Sequence, residues 1–414
     1  MKEHIFKREK YLNKLVSKID NRLIKIITGI RRCGKSYLVF KLFKNYLLSH
    51  NWNEEQIIEI KLDFFSNIKY QDPNEFLNYV YSNTKKDSKY ILLVDEIQLL
   101  GNFVAVLNEL SDNEKYDIYI TGSNSRFLSK DIETEFRGRG DVINLFPLSF
   151  KEVWEVQKDN KSIEKIWEEY FLFGGIPLVN KMEDDYDKAE YLRRLFNETY
   201  IKDIIERNNL TKALVINQLT DVIASNIGSL TNLSKICNTF NSVNKTNVTA
   251  HTLSKYIEYL KDSFLIEEVN RFDIKGRKYI KNIFKFYFVD PGLRNTRLNF
   301  RQNEENHIME NIIFNELKNR GYNVDVGLVI SRNAQEYKQY EVDFVAQKHN
   351  QKIYVQSALN LDDPSKLAQE TNSLLSLNDF FKKIVVVKNY SKTRIDQNGI
   401  IYMGLFDFLL SEEL

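Results

Sequence analysis

The sequence predicts an α/β protein with several structural units, and three patterns in its 414 residues support this fold class. The apolar run "LIKIIT" at residues 23–28 is followed by a glycine-containing loop and then by apolar residues at helical spacing. The run "KYILLVDEIQLL" at residues 89–100 is an apolar strand that leads into two acidic residues. Residues 305–414 combine helical segments with several segments of strand character. Buried strands that alternate with helices are typical of a sheet covered by helices.

The loop after the first strand, "GIRRCGKS" at residues 29–36, fits the pattern G-x-x-x-x-G-K-[ST]. Glycines allow the backbone to curl so that successive N–H groups face phosphate oxygens, and the following helix N-terminus adds positive potential. We expect Lys35 to reach the β- and γ-phosphates of ATP and the Ser36 hydroxyl to hold Mg²⁺. The alternative is a simple glycine turn. The candidate nucleotide-binding residues are Gly29, Ile30, Arg31, Arg32, Cys33, Gly34, Lys35, Ser36 and Tyr37.

The second strand leads into Asp95 and Glu96. A buried parallel strand has little reason to end in two acids unless they face a site at its carboxyl end. We expect Asp95 to hold the Mg²⁺ through water and Glu96 to polarise the water that attacks ATP. The loop and this strand, in this order, predict ATP binding, and Glu96 in addition predicts hydrolysis. The alternative for both acids is a solvated strand end.

Two pairs of arginines lie near these motifs. Arg137 and Arg139 precede a further strand, "DVINLF", and an arginine there can supply charge to the transition state, within one chain or across a subunit contact. We favour Arg139 for this role, and the alternative is one surface arginine among many. Arg31 and Arg32 lie in the middle of the loop, where contact with another domain or subunit is possible.

A series of motifs follows in order along the chain: "GIRRCGKS", "LLVDEIQ", "ITGSNS", "RGRG", "PLSF", "GGIP", "YFVDPGL" and "YEVDF". In this order they resemble the prokaryotic AAA-type P-loop ATPases that carry a C-terminal domain of unknown function and are similar to archaeal-type ATPases. The resemblance covers nearly the whole chain and implies ATP and Mg²⁺ as ligands. Its first two motifs are specific for ATP, whereas the later ones identify the family without indicating a biological role.

The resemblance also implies a role for the strand in "YDIYITGSNSRFL" at residues 116–128. In AAA-type ATPases the corresponding strand lies between the P-loop strand and the Walker B strand, and its polar tip orients water and senses the γ-phosphate. Thr121, Ser123 and Asn124 form the tip here, and we expect Ser123 or Asn124 to take this role. The alternative is an ordinary helix cap, for which Ser and Asn are well suited.

Four units are expected along the chain. Residues 1–150 form the AAA-type P-loop core, and residues 151–210 are amphipathic helices that the resemblance places as a lid over the nucleotide. Residues 211–298 have the pattern of a winged helix, with three helical segments and two alternating strands around a basic turn. Residues 299–414 form a further α/β domain.

A winged helix commonly enters DNA, so the basic residues of residues 211–298 are candidate phosphate contacts. These candidates are Lys255, Arg277, Lys278 and Lys281. Glu258 lies on the same helix as Lys255 and opposes DNA binding at that face. Winged helices also dock proteins or serve as lids, so a protein partner or a homo-oligomer is the alternative.

The last unit resembles the restriction-endonuclease-like fold, because a helix with Glu310 precedes strands with Asp343 and Gln356. Active members of that fold carry a lysine two residues after the Glu or Gln, and here that position is Ala358. The carboxylates of Glu310, Glu341 and Asp343 remain candidate metal ligands. Without the lysine we expect a retained fold that binds DNA or protein and has no nuclease activity.

The composition is that of a soluble globular protein, with 43% hydrophobic and 28% charged residues. A net charge of +2 limits any nucleic-acid surface to a local patch. The first residues are charged throughout, and no stretch approaches the roughly 20 apolar residues of a membrane span. The two cysteines do not suggest a disulfide framework. These features predict a cytoplasmic protein with no membrane partner.

The motifs together predict an Mg²⁺-dependent ATPase that acts as a nucleotide-driven conformational switch on DNA or on a protein partner. One alternative is an ATP-gated nuclease that uses Asp343. The other is a DNA-binding regulator without enzymatic activity that uses Arg277 and Lys278.

Overall fold

The computed structural model describes residues 5–122, 136, 138–210, 212–333, 336–389 and 392–414. The chain divides into two compact units, and each is described by itself. The first unit comprises residues 1–147 with 262–264, and the second comprises residues 148–261 and 265–414. Across the described ranges, no helix is both long and apolar enough to cross a membrane.

A parallel sheet forms the core of the first unit. Its described strands are β1 (Ile24–Thr28), β2 (Ile57–Lys61), β3 (Tyr90–Asp95), β4 (Tyr116–Thr121) and β5 (Gly140–Asn144). Their order is β2-β3-β4-β1-β5, and every neighbouring pair is parallel. The strand β4 therefore lies between β1 and β3, as the resemblance predicts, and the carboxyl ends of these strands meet at one edge.

Helices flank this sheet and cover its apolar side chains. They are α1 (Glu9–Val16), α2 (Lys35–Tyr37), a π-helical segment (Leu38–Phe43), α3 (Lys44–Ser49), α4 (Pro73–Ser82) and α5 (Phe103–Ser111). Short 3-10 turns lie at Glu54–Gln56, Phe65–Gln71 and Ile97–Leu99. Phe76 of α4 and Leu107 of α5 share one buried cluster with Leu92 of β3. Each such side chain contributes about 1.5–3 kcal/mol by leaving water.

The second unit begins with helices, and further helices follow between its strands. In chain order they are α6 (Phe150–Gln157), α7 (Ile163–Phe173), α8 (Asp185–Arg194), α9 (Lys202–Arg207), α10 (Ala213–Ala224), α11 (Leu233–Asn244), α12 (Ala250–Asp262), α13 (Pro291–Arg297), α14 (Glu305–Asn319), α15 (Pro364–Leu375) and α16 (Leu405–Leu410). A 3-10 turn at Val179–Lys181 and a π-helical segment at Leu195–Ile201 lie among them. The start of α6 is fixed by Ser149 and Glu152, whose side chains each accept the other residue's N–H, at 3.2 and 2.9 Å.

One mixed sheet runs through the second unit. Its described strands are β6 (Ile266–Asp273), β7 (Lys278–Phe288), β8 (Asn323–Asn333), β9 (Glu336–Lys348), β10 (Gln351–Ala358), β11 (Lys382–Val387), β12 (Arg394–Ile395) and β13 (Ile400–Gly404). Their order is β12-β13-β11-β10-β9-β8-β6-β7. The hairpin β6–β7 follows three helices, α10 to α12, and β6 pairs with β8 in parallel. The sheet therefore crosses the boundary expected between residues 298 and 299.

The motifs "GGIP" and "YFVDPGL" meet inside the second unit. The Asp290 carboxylate accepts the N–H of Gly175 at 2.6 Å and the N–H of Leu293 at 3.1 Å, which links the turn after α7 to the start of α13. Gly174 has a φ of 73°, and a Cβ there would lie 2.1 Å from Asp290 Oδ1. Burial raises the pKa of Asp290 to about 6, although the backbone donors lower it. The glycines thus serve a contact between distant segments.

Candidate functional site

The loop at residues 29–36 leaves β1 at the carboxyl edge of the first sheet and enters α2. Gly29 and Gly34 have φ values of 141° and 103°, and Arg32 has a φ of 65°. A Cβ at position 29 would lie 2.2 Å from the carbonyl oxygen of Leu145, so a larger residue would require the backbone to move. The glycines therefore maintain the curled backbone that a phosphate cradle requires.

Lys35 is the buried cation of this loop. Its Nζ donates to the carbonyl oxygens of Gly29 at 2.9 Å and Ile30 at 3.1 Å. Both acceptors are neutral, and a phosphate oxygen is a stronger acceptor than a carbonyl. The side chains of Ile30 and Cys33 lie in the core, so these residues offer only backbone groups. The more exposed members of the predicted set are Arg31, Arg32, Ser36 and Tyr37.

Asp95 ends β3 beside this loop. Its carboxylate accepts hydrogen bonds from the hydroxyls of Thr121, at the end of β4, and Ser36, in α2. Burial raises the pKa of Asp95, whereas the bonds from Thr121 and Ser36 lower it. The predicted metal ligands Ser36 and Asp95 are therefore in contact, and neutral donors rather than a cation hold the carboxylate.

Glu96 follows β3 directly and adopts the left-handed backbone region, with φ 52° and ψ 51°. This region is unfavourable for a residue with a Cβ and is common at functional sites. The N–H of Glu96 donates to Thr121 Oγ1 at 3.2 Å, and its carboxylate accepts a hydrogen bond from the amide of Gln98. No role for Thr121 or Gln98 was predicted from the sequence. Two sequence features could have pointed to them: Thr121 is the first polar residue at the end of its strand, and Gln98 is the amide residue in "DEIQ".

The structure does not bring Arg139 to the loop. Its carbonyl oxygen accepts the N–H of Ile24, the first residue of β1, at 2.8 Å. Arg139 therefore lies at the amino edge of the sheet, about 16 Å of strand away from the loop. Its guanidinium pairs with Asp112 at 2.6 Å on the surface, so it is not a finger for the nucleotide of its own chain. The candidates outside the described residues are Ser123, Asn124 and Arg137.

A second polar cluster lies in the second unit around Lys285 of β7. Lys285 Nζ lies 2.8 Å from Glu310 Oε1 and 2.8 Å from Glu341 Oε1. The Tyr287 hydroxyl donates to Glu310 Oε1 at 2.5 Å. Burial alone would lower the pKa of Lys285, but the surrounding carboxylates raise it above its ordinary value. The lysine therefore stays charged and neutralises acids inside the protein.

Asp343 extends this cluster. Its Oδ2 accepts the N–H of Ser357 at 2.8 Å, and its own N–H donates to Gln356 Oε1 at 3.2 Å. Gln356 Nε2 donates to Glu370 Oε2 at 2.9 Å. Burial first, and then the charge of Glu310, raise the pKa of Asp343 well above its ordinary value. A protonated or cation-balanced carboxyl group is therefore favoured at Asp343.

The structure brings the predicted acids of the last unit together but adds a residue that the sequence analysis missed, Lys285. Ala358, at the position where active nucleases carry lysine, is buried in an apolar cluster. In the part of the chain that the structure describes, no three His, Cys, Asp or Glu side chains form an arrangement that could hold a metal ion. The predicted residues in contact or electrostatic range of one another are Glu310, Glu341, Asp343 and Gln356.

The hairpin β6–β7 is basic. Its exposed cations are Lys275, Arg277, Lys278 and Lys281. Ion pairs recorded between described residues include none of these four side chains. Lys255 of α12 is also exposed, and its Nζ lies 5.8 Å from the centre of the Tyr259 ring. The candidate DNA contacts are therefore accessible to solvent.

Comparison with known proteins divides the chain much as the motifs do. Residues 21–154 match the AAA domain family. Residues 164–304 match a domain of unknown function (DUF8612), and residues 305–406 match another (DUF4143). The AAA match coincides with the loop, β3 and the strands beside them.

The chain is 33% identical over 415 residues to an uncharacterized protein of Haemophilus influenzae, a match that covers 99% of this chain and 100% of that protein. The chain belongs to the same family. A second member, an uncharacterized protein of Methanocaldococcus jannaschii, is 31% identical over 379 residues, or 87% of this chain and 80% of that protein. This AAA family is therefore represented in a bacterium and an archaeon, and its AAA domain makes the chain an ATP-binding protein of the P-loop ATPase class.

This chain is also similar to solved structures of AAA-type ATPases, with low TM-scores. The ORC1 protein of Aeropyrum pernix, in complex with DNA, shares 12% identity, and the match covers 70% of this chain and 92% of that chain with a TM-score of 0.30. DnaA of Aquifex aeolicus, bound to AMPPCP, shares 18% identity over 61% of this chain and 87% of that chain, with a TM-score of 0.29.

Proposed function

We propose that the protein binds ATP with Mg²⁺, hydrolyses the ATP slowly, and uses the nucleotide as a conformational switch that acts on DNA or on a protein partner. The observation that carries this proposal is the convergence of Lys35, the Ser36–Asp95 hydrogen bond and Glu96 at one edge of the first sheet. Cation, metal-ligating oxygens and a carboxylate base are the groups that phosphoryl transfer to water requires.

The residues present fit ATP and Mg²⁺. The backbone at Gly29 and Gly34 curls in a way that only glycine tolerates, which suits a phosphate cradle. Lys35 would exchange its two carbonyl acceptors for phosphate oxygens. Ser36 and Asp95 would hold the Mg²⁺, which neutralises developing charge on the phosphates. Glu96 would accept a proton from the attacking water once its carboxylate turns from Gln98.

The switch is proposed from the order of the modules. We assign the ATP site to the first unit, and we propose that residues 151–210 act as the lid and residues 211–298 as a winged helix. The exposed hairpin cations support DNA as the partner, because unneutralised Lys and Arg side chains are the usual phosphate contacts. A protein partner or a second copy of the chain is the alternative. We propose the cytoplasm as the location.

ATP turnover by the purified protein tests the proposal. We expect Mg²⁺-dependent turnover that Lys35→Ala and Glu96→Gln both abolish, with stimulation by DNA if DNA is the partner. Turnover that persists in Glu96→Gln, together with unchanged nucleotide-dependent motion, would contradict it. If the protein has no ATP turnover and changing Arg277 and Lys278 weakens DNA binding, the result would support the alternative function, a DNA-binding regulator without enzymatic activity.

The second candidate function is an ATP-gated nuclease. It is favoured by the assembly of Glu310 and Asp343 beside Lys285, whose ammonium is close to acids of the kind that hold a catalytic metal. It is opposed by the engagement of Lys285 with two carboxylates and by Ala358. Mg²⁺-dependent cutting of DNA that Asp343→Ala abolishes would establish it.

A further inference from the structure

An aromatic and basic surface lies on the second unit, beyond the hairpin turn itself. We call it the stacking surface and define it by Arg277, Tyr279, Lys352, Phe380 and Phe381. Phe380 is fully exposed, Tyr279 is 59% exposed and Phe381 is 43% exposed. Aromatic rings of this size are seldom left in water without a binding role when they lie close together.

Register and contacts show that these residues share one region of the sheet. The Tyr279 hydroxyl lies 3.2 Å from Asp325 Oδ2 on β8. Asp325 pairs with Val345 on β9, and Val345 pairs with Tyr354 on β10, so these residues form one row across the sheet. Val345 and Tyr354 are buried, so the exposed rings lie at the two ends of this row. Adjacent strands lie about 4.8 Å apart, so this row spans on the order of 10 Å from β8 to β10.

The row continues from Tyr354 to the loop before β11. Lys352 lies two residues before Tyr354 and shares its face, because side chains alternate along a strand. Lys352 Nζ lies 5.0 Å from the ring centre of Tyr354 and 5.0 Å from that of Phe381. Phe381 also packs edge-on against Tyr354, with ring centres 6.3 Å apart. Phe381 thus extends the surface at its far end, and the exposed Phe380 directly precedes it in the chain.

The charges of this surface favour an anionic ligand. Neither Arg277 nor Lys352 forms an ion pair among the described residues. Burial lowers the pKa of Lys352, and the negative charge of Asp379 opposes this effect. The positive charge of Arg277 lowers the pKa of Lys352 further, so Arg277 and Lys352 lie within electrostatic range of each other. Of the acids nearby, Asp325 accepts the Tyr279 hydroxyl and Asp379 accepts the Tyr354 hydroxyl. A bound polyanion would relieve the repulsion between the cations.

We propose that the stacking surface binds single-stranded nucleic acid. Unpaired bases present faces that stack on exposed aromatic rings, while cations between the rings contact the phosphates. Duplex DNA would engage the cations but leave Phe380 and Tyr279 unused, because its bases are already stacked. An acidic peptide would likewise satisfy the charges and leave the rings in water. The inference names the partner of the proposed switch but does not depend on ATP turnover.

Fluorescence anisotropy with labelled oligothymidylate of about ten nucleotides tests this inference on the full chain without ATP. We expect Phe380→Ala to weaken binding about fivefold or more, because one base loses its stacking partner. Arg277→Ala should weaken binding and reduce the salt dependence by about one phosphate contact. The matched control is Phe65→Ala, which removes a 90% exposed aromatic ring of the first unit and should leave binding unchanged.

Separate arms distinguish the ligands. If an RNA oligomer binds more tightly than the DNA oligomer, the result supports the proposed stacking surface and identifies RNA as its ligand. Binding that Phe380→Ala leaves at the wild-type level overturns the inference, as does a duplex that binds as tightly as the single strand. Displacement of the oligomer by polyglutamate at equal charge would assign the surface to an acidic peptide. Lys35→Ala should bind the oligomer normally, so a failure of the ATPase proposal would be seen separately.

Discussion

Lys35 in the first unit and Lys285 in the second are both buried, and they differ in what holds them. Lys35 Nζ donates to two backbone carbonyls, and Asp95 is held by hydroxyls. Lys285 Nζ is instead bound directly by Glu310 and Glu341. The first unit therefore keeps a cation and a carboxylate available for phosphate and metal. In the second unit equivalent charges neutralise one another, which favours a structural role.

The largest expected effect comes from removing the internal counterion. Lys285→Met should lower the free energy of unfolding of the second unit by about 3–5 kcal/mol, because the buried Glu310 and the half-buried Glu341 would be left without their cation. Urea unfolding of the full chain measures this loss. The double variant Lys285→Met, Glu341→Gln should recover part of it. A single variant as stable as wild type would show that Lys285 is not needed as a counterion.

The matching change in the first unit should affect binding and spare stability. Lys35→Ala removes a lysine that donates to two backbone carbonyls, so we expect about a hundredfold or greater loss of ATP affinity, the scale of a lost charged contact. Equilibrium binding of a fluorescent ATP analogue measures it. If Lys35→Ala unfolded as readily as Lys285→Met while it still bound ATP, the contrast between the two lysines would be wrong.

A smaller effect concerns Asp290, the link between the "GGIP" turn and α13. Burial raises its pKa from 3.8 to about 6, so between these values the folded state holds a proton that the unfolded state has lost. This group's contribution to stability is therefore present at low pH and declines as the pH rises from about 4 to about 6, by about 3 kcal/mol. Urea unfolding at several pH values measures this decline. Asp290→Asn should remove the dependence, and an unchanged pH profile in that variant would exclude Asp290 as its source.

The smallest expected effect concerns Gln98, whose amide donates to the Glu96 carboxylate. This hydrogen bond engages a carboxylate oxygen that would otherwise face the attacking water. We expect Gln98→Leu to raise basal ATP turnover a few-fold, with ATP affinity unchanged, in steady-state assays. A fall in turnover would mean that Gln98 positions Glu96 for catalysis instead of restraining it.

The sequence was most informative where a site is built from residues next to strand ends. Gly29, Lys35 and Asp95 could be placed because each lies in a local pattern at the carboxyl end of a predicted strand. Which polar residue at the end of β4 meets Asp95 depends on the strand register, which places the Thr121 hydroxyl against the Asp95 carboxylate. No local pattern shows how far a strand extends or which side chain meets its neighbour.

The second unit was less predictable because its contacts join distant segments. Alternation predicted the strands of the hairpin β6–β7, but only the structure shows that β6 pairs with β8 and joins the C-terminal sheet. Lys285 meets Glu310 and Glu341 for the same reason: the three residues lie on separate elements that the sheet brings together. The place of Arg139 in the sequence did not reveal which edge of the sheet it occupies.

The claim that the chemistry belongs to the first unit is tested most directly by comparing the Mg²⁺-dependent ATP turnover of two variants, Glu96→Gln and Glu310→Gln. We predict that Glu96→Gln loses about a hundredfold or more of the turnover while it still binds ATP, as expected for loss of a general base. Glu310→Gln, in protein confirmed to be folded, should keep the wild-type rate. Turnover that survives in Glu96→Gln, or that disappears in folded Glu310→Gln, would contradict the account.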